Sequence, residues 1–361
     1  MLPTVESSRA GAALLWVIAL AGTVTLPGWV LLAQLAQVGM ALSAMALVLY
    51  AAAFAVMSGF SGAAARVGSK EAMLIAAGVS FAGLLVLMLA PRFELLLIVQ
   101  AAQGGALALA MQSYRLYRQQ VGVALSTDRT VTIVALFGAI SGLGMALLAW
   151  SGDPAPWSYW VELILLGCAL ALFTRAQVMA PVPDAPLLLR PAMGEIRTVA
   201  LLVLLASPAG LIAAVIPWQL ARFDAAHWMA VPLLVWLLVA ALAVATAGQR
   251  LWSLLARWTS PMLVVGYGLL TFGTWTGYVE LVTGGAFLLG LTLGVHISAH
   301  PPQSIWDEAL GVLGMLIPGA LLALVAQNSG VTVALIGYGL AGLLLWFAAH
   351  WWIHSRDALD A

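Results

Sequence analysis

The sequence predicts an all-α membrane protein in which twelve transmembrane helices form two six-helix bundles, with the N- and C-termini in the cytoplasm. Three observations predict this fold: the composition, the number of long apolar runs, and the distribution of basic residues. Of the 361 residues, 63% are hydrophobic and only 8% are charged, and the mean hydropathy is +1.05. Soluble domains carry about 25% charged residues, so this composition indicates an integral protein of a lipid bilayer.

The apolar runs give the number of spans. A helix needs about 20 mostly apolar residues to cross the hydrocarbon core. Runs of that length have centres near residues 21, 49, 81, 105, 139, 168, 207, 238, 268, 289, 317 and 341. We interpret the first run, residues 11–32, as a span and not as a cleaved signal, because the sequence lacks a short apolar region and a small-residue cleavage site. The connections are too short for a soluble catalytic domain, so we expect neither enzymatic activity nor a cofactor.

The basic residues predict the orientation. With the N-terminus in the cytoplasm, Arg92 and Arg222 would lie outside. The other twelve would lie inside, which is the asymmetry expected of cytoplasmic loops. These are Arg9, Arg66, Lys70, Arg115, Arg118, Arg129, Arg175, Arg190, Arg197, Arg250, Arg257 and Arg356. The formal net charge of zero gives no indication of a nucleic-acid partner.

A central linker divides the chain. Residues 178–196 contain Pro181, Pro183, Pro186 and Pro191, which favour an exposed cytoplasmic connection over a span. We therefore expect one six-helix bundle at 1–177 and a second at 197–361. The two halves are weakly similar, since residues 136–142 in span five resemble residues 313–319 in span eleven. Parallel repeats of this kind place a substrate site between the halves, near the middle of the bilayer.

Three short motifs support a family resemblance. The loop between spans two and three contains Gly62, Arg66, Gly68 and Lys70 in the order of a Gly-x-x-x-Asp-Arg-x-Gly-Arg-Arg pattern. Residues 100–105 are similar to an Arg-x-x-Gln-Gly-x-Gly motif of span four, and residues 138–142 to a Gly-x-x-x-Gly motif of span five. With two six-span halves and a central linker, the chain resembles the major facilitator superfamily of secondary transporters.

The resemblance implies a monomeric, multi-pass protein of the bacterial inner membrane that works by alternating access. The span-five motif is frequent in antiporters of the family. It therefore implies export of a small organic metabolite, siderophore-like compound or drug, with protons as a coupling ion. Two alternatives stay open: import of a metal or metal chelate, and a membrane assembly or sensor protein that keeps the fold without transporting.

Two departures from the family pattern concern charge. Ala65 occupies the position of the family's Asp, which caps a neighbouring helix at the inner gate. We expect Asp307 or Glu308, which open span eleven, to substitute by pairing with Arg66 or Lys70. The alternative is that these are ordinary helix-end charges in water, where exposed pairs contribute little.

The second departure is Gln100, where the family usually has the Arg that it links to proton coupling. Glu162, near the outer end of span six, is then the candidate coupling residue, because charge inside a membrane usually marks an ion or proton pathway. The alternative for Glu162 is an interfacial carboxylate within a belt of aromatic residues.

Uncharged polar side chains are the candidates for substrate binding. Spans one, four, seven and ten face the centre of the resembling family, and in this sequence they supply Thr23, Thr25, Gln100, Gln103, Trp218, Gln219 and His296. A buried amide needs a hydrogen-bonding partner, which is either a ligand or another helix. A cavity of amides and aromatic rings favours a neutral, zwitterionic or amphiphilic solute.

Two histidine pairs raise the metal alternative. His296 and His300 close span ten, and His350 and His354 close span twelve. Residues four positions apart share one helix face, so each pair has the spacing to bind one metal ion. The alternative is that imidazoles are simply favoured at helix C-termini and at the wet interface.

Overall fold

The computed structural model describes most of the chain in helical form. The described residues are 10–15, 17–19, 37–60, 62–121, 157–176, 181–182, 196–225, 228–229, 231–245, 255, 258–300 and 305–357. Within them the backbone alone is described at 121, 157–159, 161, 196–199, 245, 305, 308 and 347–357. No strand occurs in these ranges, as the composition predicts.

The described residues form fourteen helices. Residues 10–15 and 17–19 form α1. The other helices are α2 (Met40–Gly59), α3 (Gly62–Val67), α4 (Ser69–Leu89), α5 (Phe93–Val121), α6 (Trp157–Thr174), α7 (Ile196–Ala206), α8 (Pro208–Ala214), α9 (Ile216–Arg222), α10 (Val231–Ala245), α11 (Thr259–Thr276), α12 (Val279–Ala299), α13 (Ile305–Ser329) and α14 (Val331–Asp357).

These helices account for most of the predicted spans. The predicted centres at 49, 81, 105, 168, 238, 268, 289, 317 and 341 lie inside described helices, and the centre at 207 lies where α7 turns into α8. The centres at 21 and 139 lie outside the described residues. Within the part of the chain that the structure describes, six apolar segments are long enough to cross a bilayer by themselves: 40–59, 69–89, 93–120, 200–222, 279–299 and 309–329. The full count of twelve spans remains a prediction.

We call the end of the molecule that carries Gly62 to Lys70 the loop end, and the opposite end the far end. Ser69 Oγ donates a hydrogen bond to Gln120 Oε1 at 2.8 Å, so α4 begins where α5 ends. Lys70 and Arg118 therefore lie at the loop end, while Arg92 lies at the far end, in the turn between α4 and α5. Which end faces the cytoplasm remains the prediction made from the basic residues.

A glycine sets the spacing of the helices in the first half. α5 packs against both α2 and α4. A Cβ on Gly104 would overlap the carbonyl oxygen of Tyr50, so α5 and α2 cross with their backbones in contact. Small residues permit such close approach, which stabilises helix pairs in lipid through van der Waals contact.

The second half repeats this crossing. α12 packs against α10 and α11, and a Cβ on Gly290 would overlap the carbonyl oxygen of Trp236 in α10. In the predicted order of spans, α12 and α10 are the tenth and eighth, and α5 and α2, which meet at Gly104 and Tyr50, are the fourth and second. The two halves therefore use a glycine at corresponding crossings.

α2 of the predicted N-terminal bundle packs against α13 of the predicted C-terminal bundle, and the two helices run in opposite directions. At the far end, the N–H of Ala41 donates a hydrogen bond to Gln327 Oε1 at 2.7 Å. At the loop end, the ring of Trp306 lies 3.6 Å from the position that a Cβ would take on Gly59. The seam between these two helices thus extends over the whole length of α2.

Candidate functional site

The glycine-rich loop is a short helix followed by a sharp change of direction. Residues Gly62–Val67 form α3, and Gly68 connects it to α4 with a φ of 107°. Residues with a side chain rarely adopt this backbone conformation, so the position requires glycine. The backbone conformation between α3 and α4 therefore explains why the motif has a glycine at position 68.

Lys70 ties the loop to the end of α6. Its side chain is 8% exposed, and Nζ donates hydrogen bonds to the carbonyl oxygens of Thr174 and Ala176, each at 2.6 Å. The last carbonyl groups of a helix have no partner within the helix, and a cation favours that end of the helix dipole. Lys70 thus serves as a C-terminal cap for α6. No local sequence pattern indicates this contact, because the partners are more than a hundred positions away.

The backbone of the loop also contacts the central linker. The N–H of Val182 donates a hydrogen bond to the carbonyl oxygen of Ala65 at 2.9 Å. Ala65 is the residue that replaces the family's Asp. The loop is therefore held by α5, α6 and the linker without that carboxylate.

The predicted gate residues lie at the loop end. Asp307, 3% exposed, is in the first turn of α13, directly after Trp306 and so close to the end of α2. The side chain of Arg66 is exposed at the end of α3. The side chain of Glu308 lies outside the described residues. The pairing of Arg66 with Asp307 or Glu308 remains a prediction, while Lys70 is engaged with α6.

Glu162 is buried within the helix bundle. Its side chain is 1% exposed, whereas that of Trp160, two residues earlier, is exposed. Glu162 is the sixth residue of α6 and precedes Thr174 by twelve residues, which corresponds to about 18 Å along α6 from the loop end. Its role in coupling and the alternative of an interfacial carboxylate both remain predictions.

Gln100 and Gln103 of α5 are both buried. Gln103 is 0% exposed and lies over Gly83 of α4, with its Nε2 3.8 Å from the position of a Cβ there. Neither its Oε1 nor its Nε2 has a hydrogen-bonding partner among the described residues. Ser80 Oγ, one turn earlier on α4, is also buried without a partner in that part of the chain. An uncompensated amide is costly in an apolar environment, so this region of the first half is suited to a bound water or a polar ligand.

The seventh predicted span is broken twice. α8 and α9 each have a proline in their first turn, Pro208 and Pro217. Because Pro208 has no N–H, the carbonyl oxygen of Leu204 loses its helical donor, and Ser207 Oγ donates to it instead at 2.8 Å. Interrupted helices at the centre of transporters commonly expose backbone groups for a ligand.

Trp218 and Gln219 follow the second break. Trp218 is half-buried and packs against the core. Gln219 lines a cavity whose other walls come from α11 and α14, and its Oε1 has no partner among the described residues. Its side chain therefore faces the outer helices of the second half.

The histidines of α12 lie at its loop end. The rings of His296 and His300 stack with centroids 5.2 Å apart. His296 is buried and His300 is exposed. The side chains of His350 and His354 lie outside the described residues, as do Thr23, Thr25 and the glycines at 138 and 142. Among the residues that are described, no three His, Cys, Asp or Glu side chains are grouped to hold a metal ion.

This chain is similar to known proteins in its structure but not in its sequence. No family model and no curated protein sequence matches the chain. The human organic anion transporter MFSD10 (TETRAN) superposes with a TM-score of 0.62 at 14% identity, covering 96% of this chain and 99% of that one. The nucleoside transporter NupG superposes with a TM-score of 0.61 at 12% identity, covering 97% and 98%. The chain therefore has the fold of the major facilitator transporters.

Proposed function

We propose that the protein is a secondary active transporter that works by alternating access and exports a small organic compound. The observation that carries the proposal is the superposition on two solved transporters over at least 96% of this chain. Superposition over nearly the full length supports the proposal, because alternating access requires two predicted halves that rock against each other.

The contact between the halves suits such a motion. Along α2 and α13, the far end is joined by the hydrogen bond from Ala41 to Gln327, and the loop end by the contact of Trp306 with Gly59. Separating the two helices at one end while the contact at the other end stays closed gives access to one side of the membrane at a time.

The polar residues suggest the class of substrate. Gln100 and Gln103 are buried amides, and we propose that they contact a neutral or zwitterionic organic solute such as a metabolite, siderophore-like compound or drug. The two similar transporters carry organic anions and nucleosides. Glu162 is the proposed site of proton coupling because it is a buried carboxylate about 18 Å from the loop end. Import of a metal chelate through His296 and His300 is the second candidate, which the stacking of their rings supports.

Transport is tested in proteoliposomes with a panel of labelled solutes, each measured with and without a protonophore. We expect uphill flux of at least one solute, abolished by the protonophore. A second experiment cross-links the seam and needs a protein without its native cysteine. The sole cysteine, Cys168, is exposed and can be replaced by serine. In that background, cysteines at positions 39 and 327 joined by a short cleavable reagent should stop flux, and cleavage should restore it. Flux that continues in the cross-linked protein would contradict alternating access across this seam.

A further inference from the structure

Two neighbouring cavities lie along α11 and α14, one of about 330 Å³ toward the far end and one of about 160 Å³ toward the loop end. We call the two cavities together the groove. Tyr267 lines both cavities and bridges the two helices. Its hydroxyl donates a hydrogen bond to the carbonyl oxygen of Leu335, and its ring lies 5.4 Å from that of Tyr338.

Glycines create the space in this groove. Gly268 on α11 lines the far cavity, and a Cβ there would have no atom within 4 Å. Gly342 on α14 lines the other cavity, and its nearest neighbour would be Leu204 Cδ1 at 3.9 Å. In membrane proteins small residues normally allow helices to touch, as Gly104 does against α2. At Gly268 and Gly342 no such contact is made, so the missing side chains leave room for a ligand.

The groove is apolar and faces the bilayer. The side chains along its rim on α11 and α14, including Val264, Phe272, Ile336 and Leu343, are exposed. From Ser260 to Trp275 it spans fifteen residues, which is about 22 Å along α11. An apolar space of this kind stays dry, and atoms around an empty space lose van der Waals contacts. A hydrocarbon chain from the membrane is the chemical group that fills it best.

One end of the groove is polar. Gln219 lies at the far cavity, where its Oε1 is buried with no partner among the described residues. Thr332 also lines this cavity, while no Asp, Glu, Lys or Arg is among the lining residues of either cavity. A buried amide is stabilised by a hydrogen-bonding partner, and an uncharged partner avoids the cost of desolvating a charge.

We propose that this groove binds an amphiphile with a single aliphatic chain and an uncharged hydrogen-bonding end, of the kind represented by a monoacylglycerol. The chain lies along α11 and α14 past the edge of Tyr267, and the polar end meets Gln219. The site lies apart from the seam between the halves, so its occupancy is independent of the proposed transport.

The test uses the full-length protein in phosphatidylcholine nanodiscs and a monoacylglycerol carrying a diazirine in its acyl chain. Photolabelling followed by peptide mass spectrometry should place the label on α11 and α14. Gly268→Leu and Gly342→Leu fill the cavities and should lower labelling roughly tenfold, as the loss of two or more buried methylene groups would do. Gly337→Leu is the matched control, because Gly337 is exposed on α14 and has no atom within 4 Å of a Cβ.

Further control experiments distinguish binding at a specific site from contact with bulk lipid. Excess unlabelled monoacylglycerol should abolish labelling of the unmodified protein, a result that needs no variant to fold. A diazirine fatty acid and a diazirine phosphatidylcholine should label the groove less, and Gln219→Leu should remove the preference for the monoacylglycerol over the fatty acid. Equal labelling by phosphatidylcholine without competition, or unchanged labelling of both filled variants, would overturn the proposal.

Discussion

Gln327 caps the first turn of α2 from a helix on the other side of the seam. Its Oε1 accepts a hydrogen bond from the N–H of Ala41 at 2.7 Å, and α2 has no side-chain cap from its own N-cap residue, Gly39. A Cβ on Gly39 would lie 2.7 Å from the same oxygen, so only glycine leaves room for the amide. Any separation of α2 from α13 at the far end therefore exposes an uncapped helix terminus.

Replacing Gln327 should loosen the far end. Gln327→Leu removes the acceptor, and loss of a helix N-cap costs about 1 kcal/mol. The reporter is Ser43→Cys in the cysteine-free background, since Ser43 is buried in the first turn of α2. We expect a membrane-impermeant maleimide to label it several times faster in the Gln327→Leu variant. Asn328→Leu is the control, because Asn328 is exposed and bonds to Leu324 of its own helix; equal rates in the two variants would refute the role of Gln327.

Lys70 should contribute to stability more than its exposed neighbour Arg66. Lys70→Met leaves the carbonyl groups of Thr174 and Ala176 without their charged donor. Charge-assisted hydrogen bonds contribute about 1–3 kcal/mol, so the thermal unfolding temperature in detergent should fall. Lys70→Arg keeps a donor and should recover part of the loss, and Arg66→Met should lower it less. A Lys70→Met protein as stable as the parent would show that water caps α6 equally well.

The sequence predicted the helices well because each one depends on a local property. The apolar runs at 69–89 and 279–299 are bounded by charged or turn residues, and the predicted centres near 81 and 289 lie within two residues of the midpoints of these helices. Gly68 likewise follows a local rule, since its φ of 107° suits a glycine between two helices.

Contacts between distant residues were not predictable in the same way. The binding of Lys70 to the end of α6 and the cap from Gln327 to Ala41 join residues far apart in the chain. The side chain of Gln219 points toward α11 and α14 because the helix is interrupted twice before it, and these interruptions set the rotation of α9. Gly104 and Gly290 lie at corresponding helix crossings in the predicted halves. The amino acids around the two glycines differ, so no sequence repeat indicated this correspondence.

The crossing glycines give a stability prediction with internal controls. Gly104→Ala forces α5 away from the carbonyl group of Tyr50, and such overpacking costs about 1–3 kcal/mol. Gly105→Ala, one position later, meets no atom within 4 Å and should change the unfolding temperature little. In the second half, Gly290→Ala should destabilise and Gly284→Ala should not. If Gly104→Ala and Gly105→Ala unfold at the same temperature, the helices are not held as close as the structure has them.

The inner gate is tested by exchanging charges. Of the two cations, Lys70 is occupied by α6, so we expect Arg66 to be the partner of Glu308. Arg66→Glu and Glu308→Arg should each reduce transport, and the double variant should recover a substantial part of it. The accessibility of the loop end to a maleimide added from that side should also change in both single variants and be partly restored in the double variant. A double variant no better than either single one would reject the pair.

Glu162→Gln should separate transport from its driving force. A glutamine keeps the size and hydrogen bonding of the side chain but cannot carry a proton, and Glu162 is 1% exposed within α6. We expect uphill, protonophore-sensitive flux to disappear, while exchange of labelled for unlabelled substrate across the membrane continues. Glu280→Gln is the matched control, since Glu280 is exposed in the first turn of α12. Uphill flux that stays equally protonophore-sensitive in Glu162→Gln would exclude this carboxylate from coupling, and loss of exchange together with uphill flux would assign it to binding instead.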